Sequence, residues 1–258
     1  MPRHFLLIVL LIALAGGAAV AQRGRSRRPS IDVEVQGNTP YDGRFVFVRL
    51  RYNASFGRSG NWIGDGGLPW SHDYPDGEVH FSKILEELTF LDIRTDGSNI
   101  LAIDDPELFN YPVAYMAEPG HWGITPPEAA ALRQYVLKGG FLIFDDFRGR
   151  DWDNLQEQMR VALPEARWME LDGTARVFHA FFEIPHPEGL AAPYGGLLPS
   201  YWGLFENNDP RKRLMAVANV NNDISEYWEF SNTGVAPVDL TNEAYKFGVN
   251  YVIYALTH

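Results

Sequence analysis

The stretch Lys138-Gly-Gly-Phe-Leu-Ile-Phe-Asp-Asp-Phe-Arg-Gly-Arg150 limits the folds open to this chain more than any other. Gly139 and Gly140 can end a helix, because glycine accepts the left-handed conformation of a helix stop. Phe141 to Phe144 have no polar alternation, so a strand here is covered on both faces, as in a parallel sheet packed between helices. In such sheets the ligand crevice lies beyond the carboxyl ends of the strands. Asp145, Asp146 and Arg148 stand there, which makes them the first candidate site residues.

The 258 residues, 46% of them hydrophobic, suit one sizeable α/β domain. Arg3 and His4 precede an uncharged run from Phe5 to Val20 that closes on Ala19-Val-Ala21, the layout of a secretory signal peptide over residues 1–21. An N-terminal membrane anchor is the alternative, disfavoured because the strongly apolar part is shorter than the ~20 residues of a spanning helix. These features predict a periplasmic or secreted protein. Residues 22–44 read as a basic linker. Its cluster Arg23, Arg25, Arg27 and Arg28 is a solvated tether or a peripheral contact with anionic lipid. The formal net charge of -11 argues against nucleic acid as a partner. The chain has no cysteine, hence no disulfide, no lipoprotein anchor and no thiol nucleophile.

The domain, residues 45–258, opens on a strand from Phe45 to Arg51, preceded from Ile31 by a tether or an edge strand. Tyr52 to Gly77 is a Gly/Pro-rich loop carrying Trp62 and Trp70. A helix is predicted from about Val79 to Thr89, then short strands at Ile100–Ile103 and Val113–Met116. Thr125-Pro-Pro-Glu128 opens a helix with a capping hydroxyl, early prolines and a glutamate three residues on. A helix over Leu155–Ala162 and a strand over Arg167–Leu171 follow. Val177–Ile184 has no assigned element, and Pro185 to Pro210 reads as a long loop bearing Trp202. A last strand runs from Leu214 to Val220, and a helix closes the chain around Tyr245, Val249, Val252 and Leu256. Alternating strands and helices imply a three-layer α/β/α domain with a mainly parallel sheet. If the strands are parallel, Arg51, His121, Asp145 with Asp146, and Asn222 with Asp223 all emerge at one edge.

Several of these stretches together resemble domain of unknown function 4159. They are Leu50-Arg-Tyr52 with Asn61-Trp62, Asp104-Asp-Pro-Glu-Leu-Phe109 with Tyr111-Pro112, Gly120-His121, Gly139 to Asp146, Val177 to Phe182, and Asn222-Asp223 with Phe247-Gly-Val-Asn250. The resemblance implies a class I glutamine amidotransferase-like fold of flavodoxin-like topology, with no established activity, in exported or membrane-anchored bacterial systems. Amidotransferases place a cysteine nucleophile at the turn that here reads Asp145-Asp-Phe-Arg-Gly149. The absence of cysteine rules out thiol-dependent glutamine hydrolysis. His186-Pro-Glu188 imitates the amidotransferase His and Glu without a nucleophile to activate.

Catalytic candidates are therefore Asp145, Asp146, His121 and His179, and binding candidates are Arg51, Tyr52, Trp62, Trp122, Arg148, Asn222 and Asp223. Adjacent Asp145 and Asp146 point to opposite faces of an extended strand unless the backbone turns between them. One then serves as ligand or base while the other pairs or caps. No two of the His and Asp candidates have a local metal-ligand spacing, so no metal is expected. Gly57 to Gly67 lacks both the Walker and the dinucleotide patterns, so no cofactor is expected either. Ser71-His72 lies in a flexible-looking loop outside any serine elbow. Trp62, Trp70, Trp122, Trp202 and Trp228, read as loop residues beside Asp, Asn and Arg, fit either lids over the core or the stacking faces of a sugar or peptide site. Two functions remain: a non-thiol binding or scaffolding module that holds a polar ligand or an envelope protein in the strand-end crevice, or a hydrolase acting on a carbohydrate or amide with an Asp/His site. The first is favoured, because no complete triad pattern is present.

Overall fold

The computed structural model describes residues 35–54 and 68–258. The predicted signal segment, the Arg23–Arg28 cluster and Trp62 lie outside the described residues. Seven strands form one sheet: β1 (Val48–Arg51), β2 (Asn99–Ala102), β3 (Val113–Ala117), β4 (Phe141–Phe147), β5 (Trp168–Glu170), β6 (Ser200–Phe205) and β7 (Leu214–Val220), in the order β2-β1-β3-β4-β7-β6-β5. The first five in that order are mutually parallel; β6 adds antiparallel to β7, and β5 antiparallel to β6. Every residue of β4 is buried, as its unbroken apolar run requires. The direction of chain progress across the sheet reverses between β1 and β3, and the crevice outside their carboxyl ends is where open α/β sheets bind ligands.

Five helices cover the sheet: α1 (Asp76–Leu88), α2 (Pro126–Leu137), α3 (Asp151–Ala162), α4 (Ile224–Glu229) and α5 (Val238–Thr257). Side-chain alternation along β4 explains the layering. Leu142 and Phe144 enter one apolar core with Leu132 and Val136 of α2 and Leu155 and Met159 of α3. Phe141 and Ile143 enter the other, with Phe81 of α1, Trp228 of α4 and Val249 and Val252 of α5. The expected three-layer α/β/α arrangement follows, with each fully buried Leu or Phe contributing about 1.5–3 kcal/mol. Thr125 and Glu128 form the predicted capping box of α2: Glu128 Oε2 accepts from Thr125 N at 2.8 Å. Gly139, at φ +117°, supplies the stop.

Two local expectations are corrected, and one open alternative is narrowed. The long loop from Pro185 contains strand β6, whose Tyr-Trp-Gly-Leu-Phe run is a strong β-former that the surrounding Gly and Pro obscured. Trp202 therefore sits on a strand, and Trp228 on α4, instead of in loops. Residues 35–44 follow the tether alternative and form no edge strand. They are held to β2 by a side chain instead: Asn38 Nδ2 donates to the Ile100 carbonyl, and Asn38 Oδ1 accepts from Ile100 N, both at 2.8 Å. That amide occupies ladder groups which an exposed edge would offer to other chains.

Candidate functional site

β4 does not run straight through its two acids. Its pairing with β7 shifts register between Phe144 and Phe147, and Asp146 takes φ 56°, a left-handed conformation uncommon outside glycine. The backbone thus turns between the carboxylates and gives them different tasks. Asp145, fully buried, accepts from the backbone N–H groups of Ile224 and Ser225, each at 3.0 Å, from Asn219 Nδ2 at 2.9 Å and from the Tyr115 hydroxyl at 3.1 Å. It anchors the start of α4 to the sheet. Burial, opposed by the Asn219 hydrogen bond and reinforced by the Asp146 charge, pushes its pKa up to about 6.

Asp146 faces the other way, and its Oδ2 lies 2.7 Å from His72 Nδ1. The same nitrogen is 3.2 Å from Asp73 Oδ1, whose partner oxygen Oδ2 accepts from Ser225 Oγ at 2.5 Å. His72 follows a short 3-10 turn at Pro69–Ser71, and that turn is fixed by one buried arginine. Arg49 of β1, 1% exposed, pairs with Glu78 of α1 at 2.5 Å. Its Nη1 donates to the carbonyls of Trp70 at 3.1 Å and His72 at 2.8 Å, and its guanidinium lies 5.0 Å from the Tyr115 ring centroid. Strand β1 thereby carries the histidine to the carboxyl edge of the sheet.

Asp223, the N-cap of α4, completes the group by accepting from Glu226 N at 2.9 Å. His72, Asp73, Asp146 and Asp223 each offer one donor atom within 4.8 Å of all the others, and the three aspartates are buried. A second group joins Asp73 to Glu226 and Glu229. At 4.8 Å each ionised pair of carboxylates repels by about 3–4 kcal/mol at an effective dielectric constant of 20. The charges respond accordingly. Burial would lower the His72 pKa, but its contacts with Asp146 and Asp73 win and push it up to about 12, so the ring is an imidazolium at neutral pH. Burial would raise Asp73, yet the His72 contact holds it below the ordinary range. Burial first, and then repulsion from Asp146, Asp73 and Asp145, lifts Asp223 well above the ordinary range. Burial and the Asp73 charge raise Glu226 to about 7 and Glu229 to about 8. Among the described residues, His72 is the one cationic group inside this cluster, with Arg49 engaged by Glu78 nearby, so the carboxylates there outnumber the positive charges.

The remaining candidates divide. The predicted convergence of strand ends is real, since β1, β3, β4 and β7 are parallel, but the histidines expected there are not in the donor group. His121 Nε2 lies 3.6 Å from Glu118, and His179 Nε2 lies 2.7 Å from the Gly173 carbonyl while its Nδ1 meets Glu183. His186 and Glu188 make an exposed surface pair at 3.4 Å. Trp122 is wholly buried and stacks near Phe144, in line with the core alternative of the two readings given to the tryptophans. Tyr52 is also buried, and its hydroxyl donates to the carbonyls of Ala117 at 3.1 Å and Glu118 at 2.6 Å. Asn222 Nδ2 serves the Tyr201 hydroxyl at 3.0 Å and the Leu190 carbonyl at 3.3 Å. Arg51 is exposed at the end of β1. Arg148 lies over the Tyr194 ring, 4.6 Å from its centroid, and is not the partner of either strand-end aspartate.

Comparison with known families places this architecture. A family model described as Domain of unknown function (DUF4159) matches residues 46–256. The chain belongs to the DUF4159 family. No curated protein matches it. The matched span of this DUF4159 domain contains all of the strand-end donors, from His72 to Glu229. Sequence reasoning proposed Asp146 and Asp223 and missed His72, Asp73, Glu226 and Glu229. The available signal was the His72-Asp73 dipeptide directly after Trp70, an apolar anchor inside a polar loop.

Proposed function

We propose that this domain is a non-thiol binding module whose strand-end centre takes a divalent cation, with His72, Asp73, Asp146 and Asp223 as ligands. The observation that carries this reading is the convergence of three buried carboxylates and one imidazole, each offering a donor atom within 4.8 Å of the others. A dication removes the charge deficit. An imidazole with carboxylates suits Mn²⁺ or Zn²⁺, and purely oxygen-seeking Mg²⁺ or Ca²⁺ less well. Binding would release the His72 proton, since a ligating ring must be neutral. The expectation of no metal rested on local spacing, and these ligands come from three separate parts of the chain.

The finer amidotransferase-like reading draws support from the order of the parallel strands, β2-β1-β3-β4-β7, and from the left-handed turn at Asp146, where amidotransferases carry their cysteine. An exported domain that holds a polar ligand or a partner in the cell envelope remains the wider setting we infer, with Arg23–Arg28 as a peripheral contact for anionic lipid. Asp146 at a sharp turn, its Oδ2 2.7 Å from a histidine nitrogen, favours a second reading, hydrolysis of a carbohydrate or amide. With its pKa near 12, His72 is a poor base, so that chemistry needs the metal to free the ring.

A thermal-shift series with Mn²⁺, Zn²⁺, Mg²⁺ and Ca²⁺ tests the proposal. At a hundred times Kd, Mn²⁺ or Zn²⁺ should raise Tm by roughly 5–10 °C. No rise with any of the four at millimolar concentration would refute the cation reading.

A further inference from the structure

Away from the strand-end centre, three tryptophans meet at the antiparallel side of the sheet. Trp152 opens α3, Trp168 lies on β5 and Trp202 on β6. The Trp152 centroid is 5.1 Å from that of Trp168 and 5.6 Å from that of Trp202, with interplanar angles of 65° and 42°. Behind them, Phe147 stacks on Trp152 and Phe144 meets Trp168 edge-on, so the core sets the orientation of both indoles. All three tryptophans are only half-buried. They wall a cleft of about 370 Å³ together with Gln156, Arg160 and Arg167.

The charges at this cleft run against the rest of the chain. In a protein of net charge -11, Arg160 and Arg167 are exposed at the cleft, and neither guanidinium has an acidic partner among the described residues. Arg133 and Arg211 are paired, with Glu165 and Asp209; Arg51, Arg148 and Arg150 are exposed without an acidic partner among the described residues too, but only Arg160 and Arg167 stand beside the tryptophan cleft. Indole faces bind the CH-rich face of a sugar ring, an amide beside them serves its hydroxyls, and unpaired guanidinium groups take carboxylates. The volume is that of a small-molecule pocket.

We propose that this cleft binds an acidic saccharide, its ring against the tryptophans and its carboxylate on Arg160 and Arg167. A neutral sugar lacks the group that the arginines select. An acidic peptide lacks the flat ring face. None of the cation ligands takes part, so this inference stands apart from the cation reading.

The test is a fluorescence titration of the full chain with trigalacturonate, in EDTA so that the strand-end centre plays no part. Maltotriose and hexaglutamate serve as the neutral-sugar and acidic-peptide controls. The expected result is a saturable change in tryptophan emission with trigalacturonate and at least tenfold weaker binding of either control. The exposed double substitution Arg160→Gln/Arg167→Gln should leave Tm unchanged and weaken trigalacturonate at least tenfold. Trp202→Ala should remove the response. The proposal is overturned by no saturable response to trigalacturonate, by equal affinity in the arginine variant, or by hexaglutamate binding as tightly as the saccharide.

Discussion

His72 Nδ1 lies 2.7 Å from Asp146 Oδ2, joining the turn before α1 to the bulged end of β4. The contact depends on backbone on both sides. Arg49 holds the His72 carbonyl, and the left-handed conformation of Asp146 turns its carboxylate away from the α4 anchor that Asp145 supplies. The central strand thus places one acid in the scaffold and one in the site.

Arg49→Met should destabilise the domain by about 3–5 kcal/mol, because Glu78 is left as a buried unpaired charge. The double variant Arg49→Met/Glu78→Leu should recover most of that loss in stability, while still losing the carbonyl contacts that position His72. Urea denaturation of the two variants measures this. Equal stability of the single and double variants would contradict the buried-pair account.

Neutralising the two acids at the α4 start should have opposite effects. Asp145→Ala strips partners from two backbone N–H groups, Asn219 and Tyr115, at a cost on the order of 3 kcal/mol. Asp223→Asn keeps a capping oxygen for Glu226 N and mimics the neutral form that burial and its acidic neighbours already favour, so the metal-free fold should be unchanged or more stable. Thermal unfolding in EDTA compares them, and a loss in Asp223→Asn as large as that in Asp145→Ala would count against the division of roles.

Stability without metal should fall as pH rises from 5 to 8. Asp145, Glu226 and Glu229 have folded pKa values near 6, 7 and 8, and Asp223 is raised too, against about 4 in the unfolded chain. Groups raised on folding favour the native state below their unfolded pKa and lose that contribution as pH climbs through the folded value. His72 acts in the same direction, its contribution complete below about 6.5 and lost toward 12. Asp73 is lowered, so its contribution changes only at more acidic pH. The check is Tm in EDTA at pH 5 and pH 8, and a flat or rising Tm would contradict the charge arrangement.

Gly248 of α5 faces the stacked pair Phe81 and Trp228, and a Cβ there would come within 2.4 Å of Phe81 Cε2 and 2.6 Å of Trp228 Cζ2. Gly248→Ala should cost about 1–3 kcal/mol through overpacking. Denaturant titration checks this, and a neutral result would mean the two rings can shift at no cost.

How much of this was legible in the sequence follows from the range of each signal. The β4 run, the Thr125–Glu128 capping box and the stop at Gly139 are local patterns, so they could be read directly. So could the α/β alternation that sends Asp146 and Asp223 to one edge. Strand β6 was hidden because its β-formers sit among prolines and glycines, and its pairing with β7 is a long-range contact. His72 was hidden for a different reason: its partner Asp146 lies on a distant strand, and the arginine that aims it looks in sequence like an ordinary strand-end charge. The tryptophans could be read either way, because the same residue type serves cores and binding faces. Trp122 and Trp228 proved to be core, and Trp202 faces a cleft.

The most direct test is equilibrium dialysis against Mn²⁺ at pH 7.5, with bound metal counted per chain. We predict that the parent binds at least one equivalent and that Asp146→Asn/Asp223→Asn binds at least tenfold more weakly while staying folded. No bound Mn²⁺ in the parent, or equal binding in the double variant, would contradict a cation centre at the end of β4.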